Sequence, residues 1–322
     1  MTEKVRLIAM SFPFIDFNGK IARYPIIQGG MAVKISTAGL AAAVANAGGI
    51  GLIAASGLTA EELVAEIKRA RSLSSGIIGI NIMFAVTRFK ELVLTALREG
   101  IDLIVTGAGF SRDVFAMGRE FRTPVVSIVS SAKLAKIAES YGAAAVVVEG
   151  KEAGGHLGTD KSLWQILPEV VKAVKIPVIA AGGILTRGDI KKALGIGVAG
   201  VQMATRFVLT RECEVHANYK NLYLKAGTED VVLIDSPVGL PGRALKNRFV
   251  ERLLAGEDLT PRRCVNCLKK CRRNFCIMEA LERARQGDME NGLVFSGERI
   301  GEIKDVKPVT EVIRELFTGV ES

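Results

Sequence analysis

Eight short apolar runs, rich in Val, Ile, Ala and Gly, recur at intervals typical of β/α units. They are Pro25–Gln28, Ile50–Ala54, Ile77–Ile82, Leu103–Thr106, Pro124–Ile128, Ala145–Glu149, Pro177–Ala181 and Gly200–Met203. Each is bounded by Gly or Pro, and helical periodicity fills the segments between them. Runs this short and this uniformly apolar suit parallel strands buried on both faces, which need a crossover helix between them. Thr59-Ala-Glu-Glu62 has the form of a capping box. Ser36 is placed to cap the helix through Ala45, Ser130 or Ser131 the one through Ser140, and Thr186-Arg-Gly-Asp189 opens another ending near Leu194. Eight such units close most naturally into a (β/α)8 TIM barrel. An open doubly wound sheet is the alternative, but no GxGxxG follows the first run, which counts against its dinucleotide-binding form.

After Arg206 the rhythm stops. Residues 207–260 read as helical with one turn-rich insertion, Val231 to Gly242, and a last helix is expected over Val309–Phe317. We therefore assign 1–206 to the barrel and 207–322 to a helical appendage packed on it. With 49% hydrophobic residues, the 322-residue chain has ample material for a core. No run reads as a membrane span: the softest, Gly39 to Gly57, contains Asn46 and reads as helix, turn and strand. The N-terminus lacks a charged leader followed by an apolar core, so a cytoplasmic location is expected. The net charge of +9 is uneven, with six basic residues and no acidic one between Pro261 and Cys276. Such a patch attracts an acidic partner, nucleic acid or an anionic cofactor, or serves only solubility.

The loop Glu149-Gly-Lys-Glu-Ala-Gly-Gly-His156-Leu-Gly158 puts one of two histidines straight after the sixth run. A histidine at a strand's C-terminal end, among glycines that let backbone approach a ligand, is a candidate catalytic base. Barrels commonly bind phosphate in the loops after strands seven and eight. Here these are Ala180-Ala-Gly182-Gly183-Ile184 and Gln202-Met-Ala204-Thr205-Arg206, where Thr205 adds a hydroxyl. Strand one ends in Gln28-Gly29-Gly30-Met31, where a flat ring could lie at van der Waals distance, and Asn81 could meet its edge. Together with Glu149, Gly154, Gly155 and Gln202 these residues make up the expected cofactor set. Lys133, Cys213 and Trp164 read as surface, core and packing residues respectively, and His216 as a surface or capping residue.

These stretches carry a resemblance. Pro25-Ile-Ile-Gln-Gly-Gly-Met31, Ala47-Gly-Gly-Ile-Gly51, Glu149-Gly-x-Glu-Ala-Gly-Gly-His156, Pro177-Val-Ile-Ala-Ala-Gly-Gly-Ile184 and Gly200-Val-Gln-Met-Ala-Thr-Arg-Phe207 occur in order over roughly residues 20–210. The chain resembles the nitronate monooxygenase (2-nitropropane dioxygenase) family, which includes FMN-dependent enoyl-ACP reductases. The resemblance implies non-covalent FMN, a phosphate site at Gly182, Gly183, Ala204 and Thr205, and His156 as the acid/base residue facing the flavin. Many relatives have Gly where Ala204 stands, so contact there is through backbone. In the monooxygenase form the enzyme oxidises nitronates or nitroalkanes with oxygen. In the reductase form NAD(P)H is the electron donor and hydride passes to an activated alkene, an acidic carrier protein fitting the basic surface. A small-molecule substrate is expected, with a homodimer left open.

Most family members lack a second feature, Cys264-x2-Cys267-x3-Cys271-x4-Cys276, which the chain shares with a subgroup that also carries a stretch like Ser236-Pro-Val-Gly-Leu-Pro-Gly-Arg243. Four of five cysteines fall here. In a reducing compartment such a cluster points to metal more than to disulfides. The spacing leaves open a 4Fe–4S cluster, which would suggest one-electron traffic, a zinc clip, or free thiols. A competing reading makes this basic segment a nucleic-acid module, although Phe275 alone stands near for base stacking.

Overall fold

In a computed structural model, which describes residues 16, 17 and 19–318, the eight runs form one parallel sheet. Its strands are β1 (Ile26–Gln28), β2 (Gly51–Ala54), β3 (Ile78–Met83), β4 (Leu103–Gly107), β5 (Val125–Val129), β6 (Ala145–Glu149), β7 (Val178–Ala181) and β8 (Gly200–Met203). The order around the sheet is β1-β8-β7-β6-β5-β4-β3-β2. Ile27 pairs in parallel with Ile50, and Gln28 N–H donates to Ile50 O at 2.9 Å, so the last strand meets the first and the barrel closes. The crossovers are α1 (Ala38–Asn46), α2 (Ala60–Leu73), α3 (Phe89–Arg98), α4 (Arg112–Glu120), α5 (Ala132–Tyr141), α6 (Leu163–Ala173) and α7 (Arg187–Ile196).

Strand alternation splits the apolar side chains into two cores. On β6, Ala145 and Val147 fill the lumen with Ile27, Leu52, Val105 and Ile179, while Val146 and Val148 pack against the helices. Phe17, on a short N-terminal hairpin, joins the lumen cluster. Thr59 and Thr186 form complete capping boxes with Glu62 and Asp189, and the Ser131 hydroxyl accepts from Leu134 N–H. Ser36 does not cap α1. Thr37 stands at that position, while the Ser36 hydroxyl accepts from Met31 N–H at 2.9 Å and from Gln28 Nε2 at 2.8 Å, bracing the end of β1.

Beyond β8 come α8 (Thr205–Val208), α9 (Ala217–Lys225), α10 (Arg248–Leu254), α11 (Ile277–Arg285) and α12 (Val309–Phe317). The insertion read only as turn-rich is a hairpin of β9 (Val231–Asp235) and β10 (Pro241–Leu245). Its β-branched run extends, and Gly239, at φ +89°, helps to reverse the chain. The second strand, β10, lies in the middle of a three-stranded sheet and pairs antiparallel with Gly155–His156 of the loop after β6. The last helix, α12, packs on α1 and α7. No helix of the described residues is long and apolar enough to cross a membrane. The N-terminal stretch read for an export leader lies outside them.

Gly51 sets how closely β2 approaches α1, because a Cβ there would stand 2.0 Å from Ala41 O. Gly51→Ala is expected to lower stability by about 1–3 kcal/mol through overpacking. The measurement is the urea midpoint at constant m-value, and an unchanged midpoint would show that α1 shifts freely.

Candidate active site

The sixth strand delivers Glu149 to the C-terminal face of the barrel, and the following loop is held from the appendage. Arg243 of β10 is buried and donates from Nε to Ala153 O at 3.1 Å and from a terminal nitrogen to Lys151 O at 2.7 Å. Pairing of Gly242 with His156 fixes the next residues. The His156 Nε2 lies 2.8 Å from the hydroxyl of Ser236, in the turn of the same hairpin, and the imidazole meets Phe295 edge-on at 5.2 Å. Burial pulls His156 from its usual range down to about 4, so the ring is neutral at pH 7. Burial also pushes the Glu149 carboxyl up to about 7. The two groups border one cavity.

That cavity, of about 220 Å³, opens at the C-terminal ends of the strands. Gly29, Gly30, Met31, Asn81, Glu149, Gly154, Gly155, His156, Gln202, Ala204 and Thr205 all line it, as the sequence led one to expect. Close approach explains two glycines: a Cβ on Gly30 would sit 2.2 Å from Asn81 Cβ, and one on Gly154 would sit 2.5 Å from the Ser296 carbonyl carbon. Gln202 Oε1 is buried without a hydrogen-bond partner, an acceptor waiting for a donor. The Thr205 hydroxyl accepts from Gly297 N–H at 3.0 Å, which leaves its own hydrogen to donate.

Three residues of the expected set stand apart. Gln28 is fully buried and serves the barrel: its Oε1 accepts from Leu52 N–H at 3.1 Å, so its amide is spent on joining β1 to β2. Gly182 and Gly183 adopt φ +86° and +73° and turn the chain after β7 against Gly150 and Glu152, outside the cavity wall. Their N–H groups make no hydrogen bond among the described residues.

Sequence reasoning missed the roof. Leu268 of the cysteine segment, together with Ile277, Met278 and Leu281 of α11, covers the cavity. Tyr219 and Tyr223 of α9 also border it, with the Tyr223 hydroxyl donating to Phe295 O. The i, i+1, i+4 spacing on α11 was a legible apolar face, but nothing local said which surface it would cover.

The structure lends no support to the metal centre expected at the cysteine segment. Among the described residues no group of three or more His, Cys, Asp or Glu side chains is arranged to hold a metal ion. Cys264 and Cys271 are exposed, while Cys267 and Cys276 are half-buried. The other three thiols lie near enough to Cys267 to add to the burial that pushes its thiol up to about 11, and the backbone of the segment is anchored on both sides. Thr87 N–H donates to Cys267 O at 3.0 Å, Lys269 N–H to Ala85 O at 2.9 Å and Arg272 N–H to Pro237 O at 2.9 Å. The segment thus straps the loop after β3 to the β9–β10 hairpin.

The remaining singled-out residues are structural. His216 caps α9, its Nδ1 accepting from Asn218 N–H at 3.1 Å. Burial pushes the Cys213 thiol up to about 11. Lys133 lies on exposed α5 surface, and the Lys192 ammonium sits 3.9 Å over the Trp164 ring.

Known proteins are similar to this chain in sequence and in fold. The sequence model of the family described as Nitronate monooxygenase matches residues 17–92 and 78–319. A relative from Mycobacterium tuberculosis, (3aS,4S,5R,7aS)-5-hydroxy-7a-methyl-1-oxo-octahydro-1H-indene-4-carboxyl-CoA dehydrogenase, is 35% identical over 72% of this chain. The match spans 66% of that relative's length. A probable nitronate monooxygenase from Bacillus subtilis is 27% identical over 91% of this chain and 94% of its own. The structure of FabK from Thermotoga maritima superposes with a TM-score of 0.84 at 33% identity, covering 92% of each chain. By its sequence, its closed barrel and the loops that carry His156, the chain belongs to the nitronate monooxygenase family.

Proposed function

We propose that the chain is an FMN-dependent oxidoreductase that acts on the carbon–carbon bond beside the carbonyl of an acyl thioester, with His156 moving the proton. One observation carries this reading: the apolar roof of Leu268, Ile277, Met278 and Leu281 on the cavity that holds His156. An acyl chain has apolar surface to bury there, each methylene being worth about 0.8 kcal/mol. A small nitronate does not. The carboxyl-CoA dehydrogenase named above supports the same substrate class.

The residues fit FMN. Gly29, Gly30 and Met31 would lie along the flat ring, and Asn81 and the unpaired Gln202 amide at its edge. Backbone at Ala204 and the Thr205 hydroxyl would meet the phosphate. Bound FMN supplies hydride chemistry. The protein then has to hold the substrate's carbonyl end and manage one proton. A neutral imidazole is in the form that removes a proton from the α-carbon, and Ser236 holds the ring by Nε2. NAD(P)H serves as reductant in the opposite direction.

His156→Ala is expected to keep flavin, read from its absorbance, while turnover of an enoyl or acyl thioester with NAD(P)H falls about 10²–10⁴-fold. Activity near wild type would remove His156 from the chemistry. Turnover of nitronate with oxygen, and of no thioester, would restore the monooxygenase reading. Glu149 gives a test in the flavin-free protein. Its folded-state value of about 7 lies above the ordinary 4.5, so the native state holds the extra proton between those values. Stability falls as pH rises through that window, by at most about 1.4 kcal/mol per pH unit, and levels off above it. Glu149→Gln should flatten the fall; an unchanged profile would show that the carboxyl is solvated.

A further inference from the structure

Helix α11 and its N-cap residue Cys276 border two separate spaces. Ile277, Met278 and Leu281 roof the cavity, whereas Cys276, Glu279, Ala280 and Arg283 border a separate groove of about 500 Å³. One helix, about 10 Å across, separates the two spaces.

The groove is strongly cationic. Arg252, Arg262, Arg263 and Arg283 line it against one carboxylate, Glu279. Arg283 bonds Glu279 at 2.5 Å, and Arg252 bonds Glu257 at 2.5 Å and the Asn291 amide oxygen at 3.2 Å. Arg262 and Arg263 are exposed, and among the described residues neither has an acidic partner within ion-pair distance. The opposite wall is apolar, formed by Leu259 and by Phe249 and Phe275, whose rings meet edge-on at 5.4 Å. Guanidinium groups bind phosphate with paired, charge-assisted hydrogen bonds. An apolar wall beside them suits a base and a sugar, so the groove fits a nucleotide better than a bare ion.

We propose that this groove binds the phosphorylated adenosine end of a coenzyme A ester whose acyl end occupies the cavity under α11. The inference rests on the thioester reading above and deepens it: the basic stretch around the cysteines is an anchor for the carrier of the substrate.

The test is steady-state kinetics of the flavin-loaded enzyme with an enoyl-CoA and the matching enoyl-pantetheine thioester, which lacks the phosphates. The wild-type KM for the CoA ester is expected to be lower by about tenfold or more, the order expected of one charge-assisted hydrogen bond. In the double variant Arg262→Glu, Arg263→Glu, both positions being exposed, the two KM values should converge. Equal KM values in the wild type, or a difference that survives the double variant, overturn the inference while leaving the thioester reading intact. A rise in KM for NADPH alone assigns the groove to the nicotinamide dinucleotide and also overturns it. Calorimetric titration of 3′,5′-ADP into the same holoenzyme decides the groove even if neither ester turns over, which would sink the thioester reading. Binding that is lost in the double variant supports the site, and no binding to the wild type overturns it.

Discussion

Pairing of β10 with the two-residue strand Gly155–His156 is the interaction on which the candidate site depends. The loop after β6 is glycine-rich and would have little shape of its own, since glycine gives up the most backbone entropy on ordering. The hairpin supplies that shape. It adds two ladder residues, two Arg243 hydrogen bonds to loop carbonyls and the Ser236 hydroxyl on the His156 ring. A barrel without its appendage would carry the histidine on an unsupported loop.

The same contacts account for the electrostatics. Phe295 and the hairpin crowd the half-buried imidazole, and no acidic side chain pairs with it among the described residues, so desolvation pulls its proton affinity down. Glu149 has no cation beside it among the described residues and shifts the opposite way for the same reason. Burial thus shifts two titratable groups of one cavity in opposite directions. The cysteine segment, strapped between the loop after β3 and the hairpin, brings Leu268 to the cavity wall.

Most of the fold was legible. Eight runs of the right length, with Thr59, Ser131 and Thr186 at helix starts, state the barrel in local terms, because strand burial and helix capping are read from a few neighbouring residues. The expectation failed where one side chain had rival uses. Ser36 is a competent cap by type, yet Gln28 and Met31 reach its hydroxyl first. Gln28 looked like a ligand to the ring and is consumed in closing the barrel. The four cysteines have a metal-like spacing, but spacing along the chain does not fix side-chain geometry, and among the described residues no three ligands are arranged to hold a metal ion.

Sequence alone determined the barrel, the place of His156 at a strand end and the glycines that admit a flat ligand, since each follows from local pattern and backbone freedom. Tertiary structure decided what surrounds them. Ser236 lies 80 residues from His156 along the chain, and Leu268 and Met278 lie still further from it in sequence. Their convergence is a product of packing on the barrel face, where burial, and not residue type, sets the protonation of His156 and the room left for a substrate.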